Sequence, residues 1–410
     1  MAFLTAPSPR SLVRREILRA AGAGALLPGR ALLYLATRRG QRAELERLLA
    51  EPAAVAPDPI LPPLPTRSLR IFVSCAEASG ETHAVSLVRE LRAVISKLGG
   101  TPPTISALGG VRLEAEGVHH IGRPVERASM GFRGPLENLA YYAELLRKTA
   151  EHFQVDRPDV CAPVDSPALH VPLARIAKAN GIPVAHFVTP QYWGWAPWRI
   201  GGYRAAVDRA LSILPFEPAW FGRRGVSVAH VGHPVLDAQS SLPSIRPVED
   251  SRSLALLPGS RLRVIEQNLP WMLDAAKRLR ARVPDLRVVV VHERRELSDP
   301  LEAGVARAGA RPWAKVQTGD LHGSLAAARC ALSVSGTVLL DLLHHRLPAV
   351  VVYRLDSARS TWASRRFLTV PWFSSVNLLA GREVYPEFCF HGEGPTAAVD
   401  AALERAFVDA

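Results

Sequence analysis

The sequence predicts an α/β protein of two Rossmann-like, doubly wound lobes, with a cleft at their facing strand ends and an N-terminal extension ahead of them. Three observations carry this. A chain of 410 residues exceeds what one ordinary core accommodates, so two domains are expected. From residue 69 onward, short apolar runs alternate with longer helical periods, the pattern of parallel strands and crossover helices. A Ser- and Pro-rich stretch at residues 237–250 lacks periodicity, and the α/β pattern restarts after it. The expected division is therefore an extension over 1–68, a first lobe over 69–245 and a second over 246–410. In such lobes ligands gather outside the carboxyl ends of the strands.

Each element follows in order. Arg14-Arg15-Glu16-Ile17-Leu18-Arg19 and the Ala-, Gly- and Leu-rich run behind it resemble a twin-arginine export signal, and equally an organelle transit peptide. Pro28 and Arg30 break the apolar run early and no small-residue cleavage site follows. The reading adopted is a basic amphipathic appendage lying on anionic lipid. Pro-rich residues 52–65 read as a linker. Strands are expected at 69–74, 160–164, 183–188 and 210–214 in the first lobe. The second should hold strands at 253–257, 286–291, 330–334 and 349–353. Helices are expected from the loop at 76–80 through residue 98, over 136–153 and over 168–180. No internal repeat occurs.

Composition excludes several classes. With 48% hydrophobic and 21% charged residues the chain is globular rather than disordered. A net charge of +12 favours an anionic partner: a phosphate-bearing substrate, an acidic membrane surface or nucleic acid. The arginines are scattered rather than clustered with aromatics on one element, so nucleic acid is not the expected partner. Cys75, Cys161, Cys330 and Cys389 form no CxxC pair, which argues against a zinc site or a disulfide framework. No run of 18 apolar residues occurs, so membrane contact would be peripheral.

Five segments could carry chemistry. The loop Ala76-Glu77-Ala78-Ser79-Gly80-Glu81 hands a strand to a helix, where backbone N–H groups face the cleft; Glu77 and Glu81 could orient hydroxyls or receive a proton. A plain capped turn would look the same. Asp165 ends an apolar strand at the mouth of the sheet. An unperturbed aspartate, with a pKa of about 3.9, would take a hydroxyl proton only in concert with bond formation; its competing role is a helix N-cap. Trp193-Gly194-Trp195 offers a flat wall for a sugar or acyl chain, or ordinary core. Gly259-Ser260-Arg261 opens a helix and suits a diphosphate, through close backbone approach and a guanidinium fork. Ser335-Gly336-Thr337 repeats that logic, with Asp341 a turn further on within reach of ribose hydroxyls. His233, just before the linker, is placed among the substrate-binding residues, with a hinge or packing role as its competing reading.

The order of these signals is more specific than any one of them. Glu77-Ala78-Ser79-Gly80, Met130-Gly131, Asp165-Ser166-Pro167, Trp193-Gly194-Trp195 and Leu214-Pro215-Phe216-Glu217 come first. Gly232-His233-Pro234, Pro258-Gly259-Ser260-Arg261, Ser335-Gly336-Thr337 and Asn377-Leu378-Leu379 follow. From about Leu69 to Phe390 the series resembles lipid-A-disaccharide synthases. The resemblance implies a GT-B fold and an inverting transfer from UDP-2,3-diacylglucosamine to 2,3-diacylglucosamine 1-phosphate (lipid X), giving a β-1,6 disaccharide and UDP. Asp165 matches the family's essential aspartate, Arg261 and Ser335–Thr337 its nucleotide side, and Asn377 a motif position near the cleft. No metal or organic cofactor is implied, since helix ends and basic side chains neutralise the leaving diphosphate.

The region holding Met130, Phe132, Leu136, Leu139 and Tyr142 resembles the part of the family that dips into the bilayer, and its composition suits an interfacial helix. A cytoplasmic site on the inner-membrane face follows from the donor, and a homodimer from family members that exchange C-terminal elements. Departures are Ala76 for glycine, Glu81 for aspartate, Ala168-Leu169-His170 for Asp-Phe-Asn, Val264 for glutamate and Asp341 for glutamate. They keep open a catalytically weakened lipid-binding relative, or a transferase or epimerase using another UDP-sugar.

Overall fold

A computed structural model describes residues 7–51, 64–129, 135–240 and 251–408, with the backbone alone at 128, 129, 135–138, 240 and 365. Two compact units divide the chain. The first holds residues 1–41 and 51–234, and the second 42–50 and 235–410.

In the first unit the described strands are β1 (Arg70–Ser74), β2 (Thr104–Leu108), β3 (His119–Gly122), β4 (Val160–Pro163), β5 (Ala185–Phe187), β6 (Arg209–Ser212) and β7 (Val228–His230). They run in the order β3-β2-β1-β4, then β5-β6-β7. Parallel bridges Cys161–Val184 and Val164–Phe187 join the two runs. Every pairing is parallel. Helices must then cover both faces, so the central strands are apolar on both sides. Ile71, Phe72 and Val73 are all buried, as are Cys161 and Ala162. Each fully buried aliphatic or aromatic side chain contributes about 1.5–3 kcal/mol relative to exposure.

The second unit repeats the plan. Its strands are β8 (Ser253–Leu257), β9 (Arg287–His292), β10 (Ala314–Thr318), β11 (Cys330–Val334), β12 (Ala349–Leu355) and β13 (Glu387–His391), in the parallel order β10-β9-β8-β11-β12-β13. In both sheets the order reverses beside the first strand, between β1 and β4 and between β8 and β11. A reversal leaves a crevice at the carboxyl ends of the two strands concerned.

Five strands escaped the sequence pattern: β2, β3, β7, β10 and β13. All five lie at or beside a sheet edge, and some carry a polar face, as in Ala314-Lys315-Val316-Gln317-Thr318, whose burial alternates. Such strands read as weak alternation rather than apolar runs. The stretch expected as a linker begins with a helix, Pro234–Ser240; residues 241–250 lie outside the described residues.

The N-terminal segment is more integrated than an appendage. Its helices, Pro9–Ala25 and Leu27–Ala50, bury Leu12, Val13 and Tyr34 in the first unit and Leu45 and Leu48 in the second. Glu16 is buried and ion-paired to Arg175 at 2.8 Å and to Arg19. Among the described residues no helix is long and apolar enough to cross a membrane.

Candidate functional site

In the first unit the chemistry-bearing loops issue from β1 and β4, the two strands at the order reversal. Glu77 is the N-cap of the Ala78–Lys97 helix in extended backbone, with no side-chain capping bond. Ser79 is exposed and Gly80 buried in the first turn. A Cβ at Gly80 would stand 3.6 Å from the Val164 carbonyl and 4.0 Å from the Asp165 Cβ, so the two loops are in direct contact. Glu81 does not serve as an acid here: its Oε1 accepts from the N–H groups of Arg112 and Leu113, both at 3.1 Å. It thereby caps the short helix Val111–Glu114.

Asp165 is held in an uncommon way. It and Ser166 both adopt left-handed backbone, with φ of 56° and 44°, a conformation that costs non-glycine residues about 1–3 kcal/mol each. The Asp165 carbonyl oxygen receives His170 Nδ1 at 2.6 Å and His186 Nε2 at 2.9 Å. A carbonyl only accepts, so both nitrogens carry the hydrogen. The far nitrogens then accept: His170 Nε2 from the Ser74 hydroxyl and His186 Nδ1 from the Tyr203 hydroxyl, each at 2.8 Å. All four side chains are buried. Burial lowers the His170 pKa to about 3, with His186 adding to it, and the His186 pKa to about 4. Both imidazoles are therefore neutral and their tautomers fixed.

The remaining first-unit candidates separate. Trp193 is buried, its indole N–H donating to Glu217 Oε1 at 3.0 Å and its ring edge-on to Phe216; it is core rather than a sugar-facing wall. Trp195 is 44% exposed with the Arg199 guanidinium over its ring. His233 is buried against His83, and burial followed by that neighbour lowers its pKa to about 4. It packs and carries no charge at neutral pH. Met130 and Phe132 lie outside the described residues, and of Leu136 only the backbone is described, in the helix Pro135–Val155. On that helix Leu139 is 48% exposed, and half-buried Tyr142 has its phenol raised by burial and then by the Glu77 carboxylate. Tyr142 thus stands within electrostatic reach of the Glu77 loop.

In the second unit the corresponding loops issue from β8 and β11. Gly259 has φ +117°, and a Cβ there would stand 2.6 Å from Val264 Cγ1 and 3.3 Å from Val334 Cγ2. Only glycine fits this turn. Ser260 and Arg261 behind it are exposed. Arg261 is the N-cap of the Leu262–Arg282 helix, which has no acid in its first turn. Free N–H groups, helix dipole and guanidinium therefore favour an anion at this end. Gly336 and Thr337 are exposed, with nothing within 4 Å of a Cβ placed on Gly336.

Three second-unit expectations are redirected. The Ser335 hydroxyl donates to the Phe373 carbonyl at 2.9 Å. Asp341 is half-buried, accepts from Gln239 at 2.6 Å, and has its pKa raised chiefly by burial. Asn377 is fully buried: Oδ1 accepts from Val384 and Tyr385 N–H at 2.8 and 2.9 Å, while Nδ2 donates to the Tyr385 carbonyl at 2.8 Å and to Glu387 Oε2 at 3.3 Å. Asn377 staples a turn and does not face a ligand.

Two acids that the sequence reading did not single out organise these loops. Glu387 accepts from Phe373 and Ser374 N–H at 2.7 and 2.9 Å, holding the segment that receives Ser335. Glu217 is fully buried, its pKa pushed up to about 7 by burial although Trp193 and the N–H groups of Ile213 and Leu214 favour its charge. Only the Leu214-Pro215-Phe216-Glu217 motif hinted at either. A cavity of about 530 Å³ in the second unit lies along β13, lined by Thr361, Glu387, Cys389 and His391 among others.

Comparison with known proteins accords with this arrangement. Residues 71–404 match the family model described as lipid-A-disaccharide synthetase. A lipid-A-disaccharide synthase of Myxococcus xanthus is 36% identical over 354 residues, 84% of this chain and 89% of its own. One of Gluconobacter oxydans is 32% identical, over 79% and 78%. Among solved structures, the UDP-GlcNAc 2-epimerase of Neisseria meningitidis bound to UDP-GlcNAc superposes with a TM-score of 0.52 at 11% identity, over 83% of this chain and 91% of that one. A putative UDP-N-acetylglucosamine 2-epimerase of Listeria monocytogenes gives 0.51 at 12% identity, over 84% and 98%. These structural likenesses establish the shared GT-B architecture. The chain belongs to the lipid-A-disaccharide synthetase family of GT-B hexosyltransferases.

Proposed function

We propose that the protein transfers 2,3-diacylglucosamine from its UDP donor to the 6-hydroxyl of 2,3-diacylglucosamine 1-phosphate, giving a β-1,6 disaccharide and UDP. Asp165 is the base. As the acceptor's O6 bonds to the donor's anomeric carbon from the face opposite UDP, the bond from that carbon to the diphosphate oxygen breaks. The O6 proton passes to the Asp165 carboxylate and the diphosphate leaves with the bonding pair. Glu77, in the neighbouring loop, orients an acceptor hydroxyl. Gly259, Ser260 and Arg261 receive the diphosphate, where backbone N–H groups and a guanidinium stabilise its growing charge without a metal.

The observation that carries the reading is the placement of Asp165 at the strand-order reversal, with its backbone pinned by two buried histidines. Acylated sugars reside in a bilayer, so the enzyme works at the membrane surface, on its cytoplasmic face where UDP-sugars are made. Exposed Leu139 on the helix that carries Tyr142 supports that location.

The test supplies purified protein with both acylated sugars and follows UDP, with mass spectrometry of the lipid product. Asp165→Asn should lower turnover on the order of 10³-fold while leaving donor binding intact, the scale of a lost general base. Full activity in that variant, or a disaccharide formed equally well from a non-acylated acceptor, would remove the proposal.

A further inference from the structure

The geometry points to a second membrane contact: the helical span from Ile17 to Leu33 seats its leucines in the interface of an anionic bilayer. This deepens the membrane-surface reading and rests on it, but needs no part of the sugar chemistry.

The span is one continuous helical path. Leu26 lies between the two N-terminal helices, yet its N–H donates to the Gly22 carbonyl and its carbonyl accepts from Arg30 N–H. At about 1.5 Å per residue its 17 residues cover roughly 25 Å. It is fastened at both ends to the first unit. Leu12, Val13 and Glu16 are buried ahead of it, with Glu16 on Arg175. Behind it Tyr34 is buried with its ring edge-on to Trp198 at 5.3 Å.

Between those anchors no residue is buried. Leu18, Leu26, Leu32 and Leu33 are 62%, 57%, 69% and 68% exposed. Nothing lies within 4 Å of a Cβ placed on Gly22, Gly24 or Gly29. A contiguous exposed apolar surface of this kind marks an interaction site.

Charge selects the occupant. The only ionisable side chains within the span are Arg19 and Arg30, and Arg14, Arg15, Arg38 and Arg39 flank it. Glu16, the lone acid from residue 7 to 41, is buried in its ion pairs. Leucines rimmed by arginine match acyl chains beneath anionic headgroups. A second copy of the chain would bring the same cations and be repelled. The helix is also not apolar enough to cross, so it lies in the interface plane.

The test sediments full-length protein, without sugar substrates, with vesicles of phosphatidylcholine alone and of phosphatidylcholine mixed with phosphatidylglycerol. Wild type should prefer the anionic vesicles. Leu26→Glu/Leu32→Glu/Leu33→Glu alters only exposed positions and should weaken that binding by at least about 100-fold. Arg14→Gln/Arg15→Gln/Arg39→Gln should erase the preference for anionic vesicles. Both variants should keep wild-type UDP release in detergent-mixed micelles. Vesicle binding unchanged in the leucine variant would overturn the inference, as would a wild-type dimer that this variant dissociates without vesicle binding by either protein. Vesicle binding that follows the expected pattern in a protein that forms no disaccharide would leave this inference standing and sink the proposed reaction.

Discussion

The Nδ1–H of His170 donates a 2.6 Å hydrogen bond to the carbonyl oxygen of Asp165, five residues earlier. This local bond, doubled by His186 from β5, offsets two consecutive left-handed residues and sets where the Asp165 carboxylate points. In the lipid-A-disaccharide synthase pattern that this segment resembles, the position of His170 is an asparagine. The Nδ2 of asparagine lies as many bonds from Cβ as the Nδ1 of histidine, so either side chain can make the same bond.

His170→Asn should therefore keep turnover within about threefold of wild type, while His170→Leu should lower kcat about 100-fold with little change in KM. A misplaced catalytic group typically costs that much. The leucine variant should also lose about 1–3 kcal/mol of stability, because the buried Ser74 hydroxyl loses its acceptor and the Asp165 carbonyl keeps only the His186 bond. Steady-state kinetics and denaturant titration of the two variants check this; equal kinetics in both would refute it.

Stability should fall as pH drops below neutrality. His170, His186 and His233 have folded pKa values of about 3, 4 and 4 against an unfolded value near 6.5. Below about 6.5 the unfolded chain binds protons at these sites that the folded chain refuses. Their contribution is complete above that pH and fades toward the folded values, at about 1.4 kcal/mol per pH unit for each group. Glu217 works the other way: its raised pKa of about 7 makes stability fall as pH rises from about 4.5 to 7. Three histidines outweigh one glutamate, so the melting temperature should rise from pH 5 to pH 6.5. A flat or falling profile would contradict the assignment.

Asn377→Ala should cost about 3 kcal/mol or more, because it leaves the N–H groups of Val384 and Tyr385 and the Tyr385 carbonyl without their partner in a dry interior. Asn377→Asp should be no better, since it places a second carboxylate beside Glu387 and removes the Nδ2 donor. Thermal unfolding measures both. A loss confined to nucleotide affinity, with stability unchanged, would return Asn377 to the list of ligand contacts.

Gly259→Ala should cost about 1–3 kcal/mol, from the positive φ and from overlap with Val264. Adding Val264→Ala should recover only part, since the backbone strain remains. Calorimetric titration with UDP should show weakened binding in both variants.

Much of this was legible from sequence for a physical reason. Central parallel strands such as Cys330–Val334 are buried on both faces and read as unbroken apolar runs, so the sequence put Asp165, Gly259 and Ser335 just beyond strand ends, where the structure has them. What stayed hidden was direction. Nothing in the spacing distinguishes an Asn377 turned into a 377–387 turn from one facing a ligand, or a Trp193 bonded to Glu217 from one lining a wall. His186 was invisible as well: a single polar residue in a short strand gives no sign that it meets His170 at a carbonyl contributed by neither.

The strand orders also bear on how the chain assembles. β1 can pair with β2 once residues 104–108 exist, but its other side waits for Val160–Pro163. β8 likewise waits for Cys330–Val334 after β9 is in place. The first strand of each sheet thus waits with one apolar edge uncovered while the 85 residues between Ser74 and Val160, or the 72 between Leu257 and Cys330, emerge from the ribosome, at about 5–20 per second. During those seconds the strands that later frame the motif loops are the part of the nascent chain most open to mispairing.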